Sequence, residues 1–408
     1  MALADTAEQE KWFFFQTDVE VGYNRNIVAL ALDGVGNAYT SGSTGAANAH
    51  YDFMTAKHGA DNGARLWVKN AGRGTNTYDL SNALAVDGAG NATSAGFFTM
   101  GTDGQNKDFR TIRYTTAGAV KWSKGLAGSF GTDDQARFAV TDSGGNPIIL
   151  GETVNSAGLG RDLTLVKYSA NKGGVLWRKD AAHGASGSFV ANQLLIDAAG
   201  NPVVIGRAGS TEFYLAKHAA ANGALLWEKR ILLQDTALSS VKDAVLDAAG
   251  NIALFGPTYE VSSSSYPGFC TLKCDAASGN PLWERTWRGP GYYGERPAAV
   301  GTDAAGNVIV TGRSENSQGN FEFRTIQYAA ADGTVRWSAR SGPPDGHNHD
   351  AEPVALVVTP EGNVIVTGKI ISLKGASSIY NEDWDAFTVC YDGKTGYETI
   401  GSGAGRHR

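Results

Sequence analysis

Seven copies of one short unit constrain this chain more than anything else in it. The unit is Asp-x-x-Gly-Asn followed by a short apolar run that ends in glycine, as in Asp87 to Gly96. Its asparagine recurs at Asn37, Asn91, Asn146, Asn201, Asn251, Asn307 and Asn363, at intervals of 54, 55, 55, 50, 56 and 56 residues. A constant period of this length means one supersecondary element used repeatedly, each copy burying its apolar faces against its neighbours.

Each copy carries four apolar segments. In the second copy they are Ala83–Val86, Ala92–Gly96, Asp108–Tyr114 and Val120–Lys124. All are short, rich in strand formers and bounded by turn residues, which predicts four strands per copy. The turn between the first two has a mechanism. Its aspartate side chain can accept from the backbone two residues on, and its glycine can take positive φ, closing a type I turn with a bulge. In the seventh copy Thr359-Pro-Glu-Gly-Asn363 keeps the same logic. The turn between the third and fourth segments also ends in glycine, and a tryptophan follows four residues later at Trp67, Trp227, Trp283 and Trp337; Trp122 and Trp177 continue the series. Burying an indole removes roughly 150–250 Å² from water, worth roughly 4–6 kcal/mol as an upper bound. The tryptophans are therefore expected to clamp neighbouring sheets. The recurrent acids and bases of the third segment, as in Asp52-Phe-Met-Thr-Ala-Lys57 and Asp162-Leu-Thr-Leu-Val-Lys167, are expected to form structural ion pairs.

Seven four-stranded sheets with two apolar faces each can stack as blades, leaving short, protected edges. The expected fold is all-β: a seven-bladed β-propeller of four-stranded antiparallel blades. The seventh copy has no tryptophan after Gly396, whereas Trp12 precedes the first copy. Residues 11–16 are thus expected to supply the outer strand of the last blade. Residues 1–408 are read as a single domain with a lead at 1–10 and a tail at 401–408.

Asp303-Ala-Ala-Gly-Asn-Val-Ile-Val-Thr-Gly312 resembles the bacterial seven-bladed β-propeller repeat family, and Gly223-Ala-Leu-Leu-Trp227 is similar to the tryptophan-docking repeats of quinoprotein dehydrogenases and their non-enzymatic scaffold relatives. The resemblance covers essentially the whole chain and implies the fold, not one function. The quinoprotein enzymes carry an adjacent cysteine pair near their cofactor; Cys270, Cys274 and Cys390 contain none, and no cofactor is expected. Cys270 and Cys274 fall on one strand about 13 Å apart, too far for a disulfide.

Net charge is −6 with basic residues scattered, which argues against a nucleic-acid partner. No apolar run approaches the roughly 18 residues of a membrane helix. Ala2-Leu3-Ala4 before Asp5 looks like the stub of a cleavage site, so the protein is expected to be exported, with its leader absent from this chain. A monomer is expected.

Turns at one end of each blade are short and uniform; connections at the other end are longer and varied, which is where binding usually resides. Candidate ligand-binding residues there are Tyr292, Tyr293, Glu295 and Arg296 before the sixth blade, Asp350 and Glu352 before the seventh, and Tyr380, Glu382 and Trp384 within it. His347 and His349 are candidate metal ligands. A polar ring of Asn26, Asn82, Arg137, Gln193, Asp243, Arg296 and Glu352 is expected at the start of the first segments. The sequence holds no Gly-x-Ser-x-Gly elbow, phosphate loop or His-Glu-x-x-His. The expected function is a non-enzymatic scaffold or recognition module for a protein or glycan ligand. The alternative is a carbohydrate-active lyase or hydrolase using Glu295, Arg296, His347, His349, Asp350, Tyr292 or Tyr293.

Overall fold

The computed structural model describes residues 24–46, 50–72, 77–99, 106–126, 133–155, 158–182, 187–258, 267–290, 294–317, 319–342, 350–372 and 383–402. Among them are seven four-stranded antiparallel sheets, each taking its strands in chain order. They are the blades of a seven-bladed β-propeller. The chain divides into two compact units, residues 1–210 with 218–225, and residues 211–217 with 226–408. No helix among the described residues is long and apolar enough to cross a membrane.

The repeat signature explains each sheet. In the first, strands Asn24–Leu32 and Ala38–Ala46 are joined by the Asp33–Asn37 turn. The Asp33 carboxylate accepts the Val35 amide at 3.2 Å and the Asn37 amide at 2.9 Å, and Gly36 takes φ +87°. The asparagine side chain works in both directions. Asn37 Nδ2 donates to Asp33 at 2.8 Å, while its Oδ1 accepts the Ala60 amide, in the turn between the third and fourth strands, at 3.0 Å. The same bond joins Asn146 to Ala170, Asn201 to Ala220, Asn251 to Ala276 and Asn307 to Ala330. Asparagine is needed because both a donor and an acceptor are used.

The tryptophans reach that same turn from the preceding sheet. Nε1 of Trp122 and Trp177 donates to the carbonyls of Ala170 and Ala220 at 3.2 Å, and that of Trp227 and Trp283 to Ala276 and Ala330 at 3.1 Å. Each ring lies on the turn glycine. A Cβ on Gly173, Gly223, Gly279 or Gly333 would come within 2.5–2.8 Å of an indole carbon. The third-strand lysines act alongside. Lys273 Nζ sits 2.8 Å from Asp247 of its own sheet and donates to the carbonyls of Gly306 and Ala330 of the next. Lys57 pairs with Asp33, Lys167 with Asp142 and Arg113 with Asp87. The expectation of structural ion pairs holds for the bases, whose partners are the turn aspartates; of the third-segment acids, Glu212 pairs with Arg230 and Glu322 with Arg340.

The glycine closing each apolar run has a separate role. Gly42, Gly96, Gly151, Gly206, Gly312 and Gly368 face the first strand, and Gly256 faces Ser240 just ahead of it; an added Cβ would lie 1.8–3.0 Å from a backbone carbonyl oxygen there. In six sheets the first strand bulges at this point, as between Ile27 and Ala29 or Ser81 and Ala83. A bulge turns the carbonyl out of the ladder, and only a residue without Cβ can lie against it.

One expectation is corrected. The fourth strand of the seventh sheet is Glu398–Ser402, paired with Thr388–Tyr391. It fills the position assigned to residues 11–16, which lie outside the described residues, and its last two residues fall in the stretch read as a tail from residue 401. An indole was a poor marker for this strand. The fourth-strand tryptophan serves to dock the next sheet in the chain, and the seventh sheet has none after it. Gly396 still receives Trp337, whose Nε1 donates to the Gly393 carbonyl at 2.9 Å.

Two measurements test this frame. Gly96→Ala places a methyl 1.9 Å from the Leu80 carbonyl oxygen, whereas a Cβ on Gly88 meets nothing within 4 Å. Urea unfolding should show a loss of about 3 kcal/mol for the first and under about 1 for the second. Acid unfolding tests the ion pairs. Burial opposes ionisation of Asp33, Asp142 and Asp247, but bonds from the paired asparagine and lysine outweigh it and hold all three low, Asp33 at about 2. A depressed folded-state pKa means the contribution is complete above the unfolded value, about 3.9, and is lost as pH falls toward 2. Asp142→Asn should therefore abolish part of the acid-induced loss between pH 4 and 2, while lowering stability at pH 7.

Candidate functional site

The turn end of every sheet is occupied by the repeat itself. The opposite end, where second strands lead to third and fourth strands lead to the next sheet, departs from uniformity. It has a backbone rule of its own. The residue ahead of a first strand hooks back to the start of the preceding sheet's third strand. Asp79 N–H donates to Tyr51, Asp134 N–H to Lys107 and Glu295 N–H to Pro267, each at 2.8 Å. The acid at this place is buried and its carboxylate accepts a backbone amide: Thr99 on Asp79 at 2.9 Å, Val154 on Asp134 at 2.8 Å and Gly289 on Glu295 at 2.8 Å. Glu295 thus repeats a structural position. Burial pushes its pKa up, against the pull of the Gly289 amide, the Ser314 hydroxyl and the Arg324 guanidinium, and Glu315 adds to the rise. Asp350 stands at the same place before Ala351–Val358.

The remaining described candidates meet on the sixth and seventh sheets. Arg296 heads Arg296–Thr302, is exposed, and pairs in register with Arg313 of Val308–Glu315. The Arg313 guanidinium lies 3.5 Å from the centre of the Phe321 ring. Burial lowers its basicity, the neighbouring Arg296 lowers it further, and Asp350, Glu352 and Glu315 pull it back. Glu352 pairs in register with Lys369, and Lys369 Nζ is 3.1 Å from the carboxylate. Arg296, Arg313, Asp350, Glu352 and Lys369 thus make one patch of mixed charge. Trp384 lies in Asp383–Tyr391 opposite Ile371 in register. Tyr292, Tyr293, His347, His349, Tyr380 and Glu382 lie outside the described residues. Among the described residues no three of His, Cys, Asp and Glu gather as a metal-ion site.

The polar ring is more engaged than open. Asn82 Nδ2 donates to the Ala136 carbonyl at 2.9 Å, the Asp243 carboxylate accepts the Val300 amide at 3.0 Å, and Arg137 approaches Glu152 at 3.4 Å. Asn82 and Asp243 tie one sheet to the next, while Arg137 and Glu152 pair within the third sheet. Sequence reasoning passed over Arg313 and Lys369. A signal was present: both directly follow the run-closing glycine, a place held by Ser43, Phe97, Glu152, Arg207 and Pro257 in the other copies. Variation immediately beside an invariant glycine marks the position that faces the varied end.

Uniform docking of tryptophan, asparagine and glycine in a seven-bladed β-propeller defines a repeat protein whose individuality lies at one end of its sheets. The chain belongs to the family described as outer membrane protein assembly factor BamB, whose model matches residues 56–339. Among solved structures it is similar to BamB from Moraxella catarrhalis, at 13% identity over 92% of this chain and 96% of that one, with a TM-score of 0.47. It is also similar to the quinohemoprotein alcohol dehydrogenase from Comamonas testosteroni, at 12% identity over 84% of this chain and 62% of that one, with a TM-score of 0.51. At such identity the likeness is one of fold. No curated protein matches the chain. The cysteines give no support to a quinone centre: Cys270 and Cys274 are buried in one strand, Phe269–Cys274, and Cys390 lies in the seventh sheet.

The raised pKa of Glu295 yields a signed test. A carboxyl whose folded-state pKa lies above its ordinary 4.5 binds its proton more tightly in the native state. Its contribution to stability therefore falls as pH rises from 4.5 through the raised value. Glu295→Gln removes that fall, so the stability of the variant relative to wild type should increase with pH over this window in paired urea titrations. A constant difference would contradict the assignment.

Proposed function

We propose that the chain is an exported bacterial propeller, a single non-catalytic domain of residues 1–408 that recognises a polypeptide through the varied end of its sheets. The observation that carries this reading is the division of labour among charges. At the turn end, Lys57, Lys167 and Lys273 are buried in repeat-encoded ion pairs and join sheet to sheet. At the other end the charges follow no repeat: Arg137, Glu152 and Arg207 stand on the third and fourth sheets, and Arg296, Arg313, Glu352 and Lys369 gather on the sixth and seventh. A patch of both signs around a cation on an aromatic ring suits charge-complementary protein recognition, where such groups set register and partner choice. The family's description as an assembly factor agrees with a polypeptide partner and with work outside the cytoplasm.

Site-specific photocrosslinking tests the reading. A crosslinker at Arg296 or Glu352 should give discrete adducts with proteins of the source cell envelope. One at Asn62 or Gly88, in the turns, should give none. Equal labelling from both ends, or none from Arg296 and Glu352, would refute it.

A further inference from the structure

The lead-in to the fifth sheet departs from those described for the other sheets. The first strand of the fifth sheet shrinks to Asp243–Leu246, and the chain leading to it forms a 3-10 turn, Leu233–Asp235, found in no other described connection. Beside it is a cleft of about 430 Å³ lined by Leu233, Gln234, Thr236, Thr258, Thr286 and Arg288.

The walls are held in place by specific bonds. The Glu284 carboxylate accepts the Thr236 hydroxyl and, at 2.9 Å, the Ala237 amide. Leu238 bridges to Thr258, and Ser239 donates both its amide and its hydroxyl to the Pro257 carbonyl at 2.9 Å. On the far side the Thr258 hydroxyl accepts the Gly268 amide at 2.7 Å. Leu233 is buried and supplies an aliphatic floor; Gln234, Thr286 and Arg288 are exposed at the rim. The cleft therefore combines an apolar base, neutral hydrogen-bonding groups and a single charged lining residue, Arg288. Its size falls in the range of roughly 300–1,000 Å³ typical of ligand sites.

We propose that this cleft is a peptide-binding site that takes an acidic side chain of a protein partner, its carboxylate on the Arg288 guanidinium and its aliphatic neighbours on Leu233 and Ala237. A planar guanidinium matches a carboxylate with two parallel bonds, and the threonine and glutamine groups suit the amides of a short peptide. The site is distinct from the patch on the sixth and seventh sheets. It rests on the reading of the protein as a recognition module and specifies one chemistry that the module selects.

The test uses the full chain and an array of acetylated hexapeptides, each with a central glutamate or aspartate between aliphatic residues, beside a matched array carrying glutamine or asparagine. Fluorescence anisotropy of the best acidic binders then compares wild type with Arg288→Gln and Thr286→Trp, after equal melting temperatures have been established. Acidic peptides should bind and their amide partners should not, and each variant should weaken binding by about tenfold or more. Acidic peptides that bind equally well to both variants would overturn the assignment while leaving the recognition reading intact. N-acetylglutamate that binds as tightly as the peptides, with the same dependence on Arg288, would overturn the peptide assignment in favour of a free carboxylate. Failure of every peptide would overturn it as well; crosslinking from Arg296 in the same preparation then decides separately whether the recognition reading stands.

Discussion

The structure depends on how the backbone of one residue is held. In the turn between third and fourth strands, the N–H of Ala276 is bonded by Asn251 of its own sheet, and its carbonyl receives Trp227 and Lys217. Ala330 is held the same way by Asn307, Trp283 and Lys273. A buried amide left without partners costs several times what a bonded one contributes. Satisfying this residue's amide and carbonyl from opposite sides therefore makes the position of one sheet conditional on its neighbour. The asparagine and the tryptophan look like separate motifs in the sequence. They meet at one residue.

Burying a lysine ordinarily costs more than its ion pair returns, and hydrophobic substitutes are often as stable. Lys273 escapes that comparison because it has three donors and uses them on a carboxylate and two carbonyls. An aliphatic replacement would leave those acceptors dry. Where the contacts change, the residue changes. Gln327, at the corresponding place in the sixth sheet, bonds Asp303 through Nε2 and Arg336 through Oε1. The recurrent bases are therefore connectors, which removes them from any list of catalytic candidates.

The period revealed the strands, their turns and their number because those features rest on local bonds with fixed spacing, such as Asp33 to Asn37 or Trp177 to Ala220. The last fourth strand was not legible. Glu398–Ser402 is recruited by backbone pairing to Thr388–Tyr391, which asks little of side chains, and the indole that marks other fourth strands has no later sheet to dock. Glu295 was misleading for the opposite reason. Its equivalents Asp79 and Asp134 lie far away in sequence and differ in residue type or surroundings, so their shared use of a backbone amide becomes visible only in three dimensions.

A repeat that satisfies its own polar groups at one end leaves selection free to act at the other, and the two kinds of departure found there differ in physical consequence. Arg313 and Lys369 replace a residue without disturbing the frame, because the position after the run-closing glycine projects from a strand whose register is already pinned by the bulge opposite Gly312 or Gly368. The fifth sheet alters the backbone instead. Its first strand is only Asp243–Leu246, and the Glu284 carboxylate holds the Thr236–Ala237 segment ahead of it. Side-chain replacement yields a flat surface whose specificity is a pattern of charge. The backbone change yields a concavity, with the guanidinium of Arg288 at its rim. The two departures lie on different sheets, the charged patch on the sixth and seventh and the cleft on the fifth, and the docking bonds of Asn251, Trp227 and Lys273 persist beside the altered backbone.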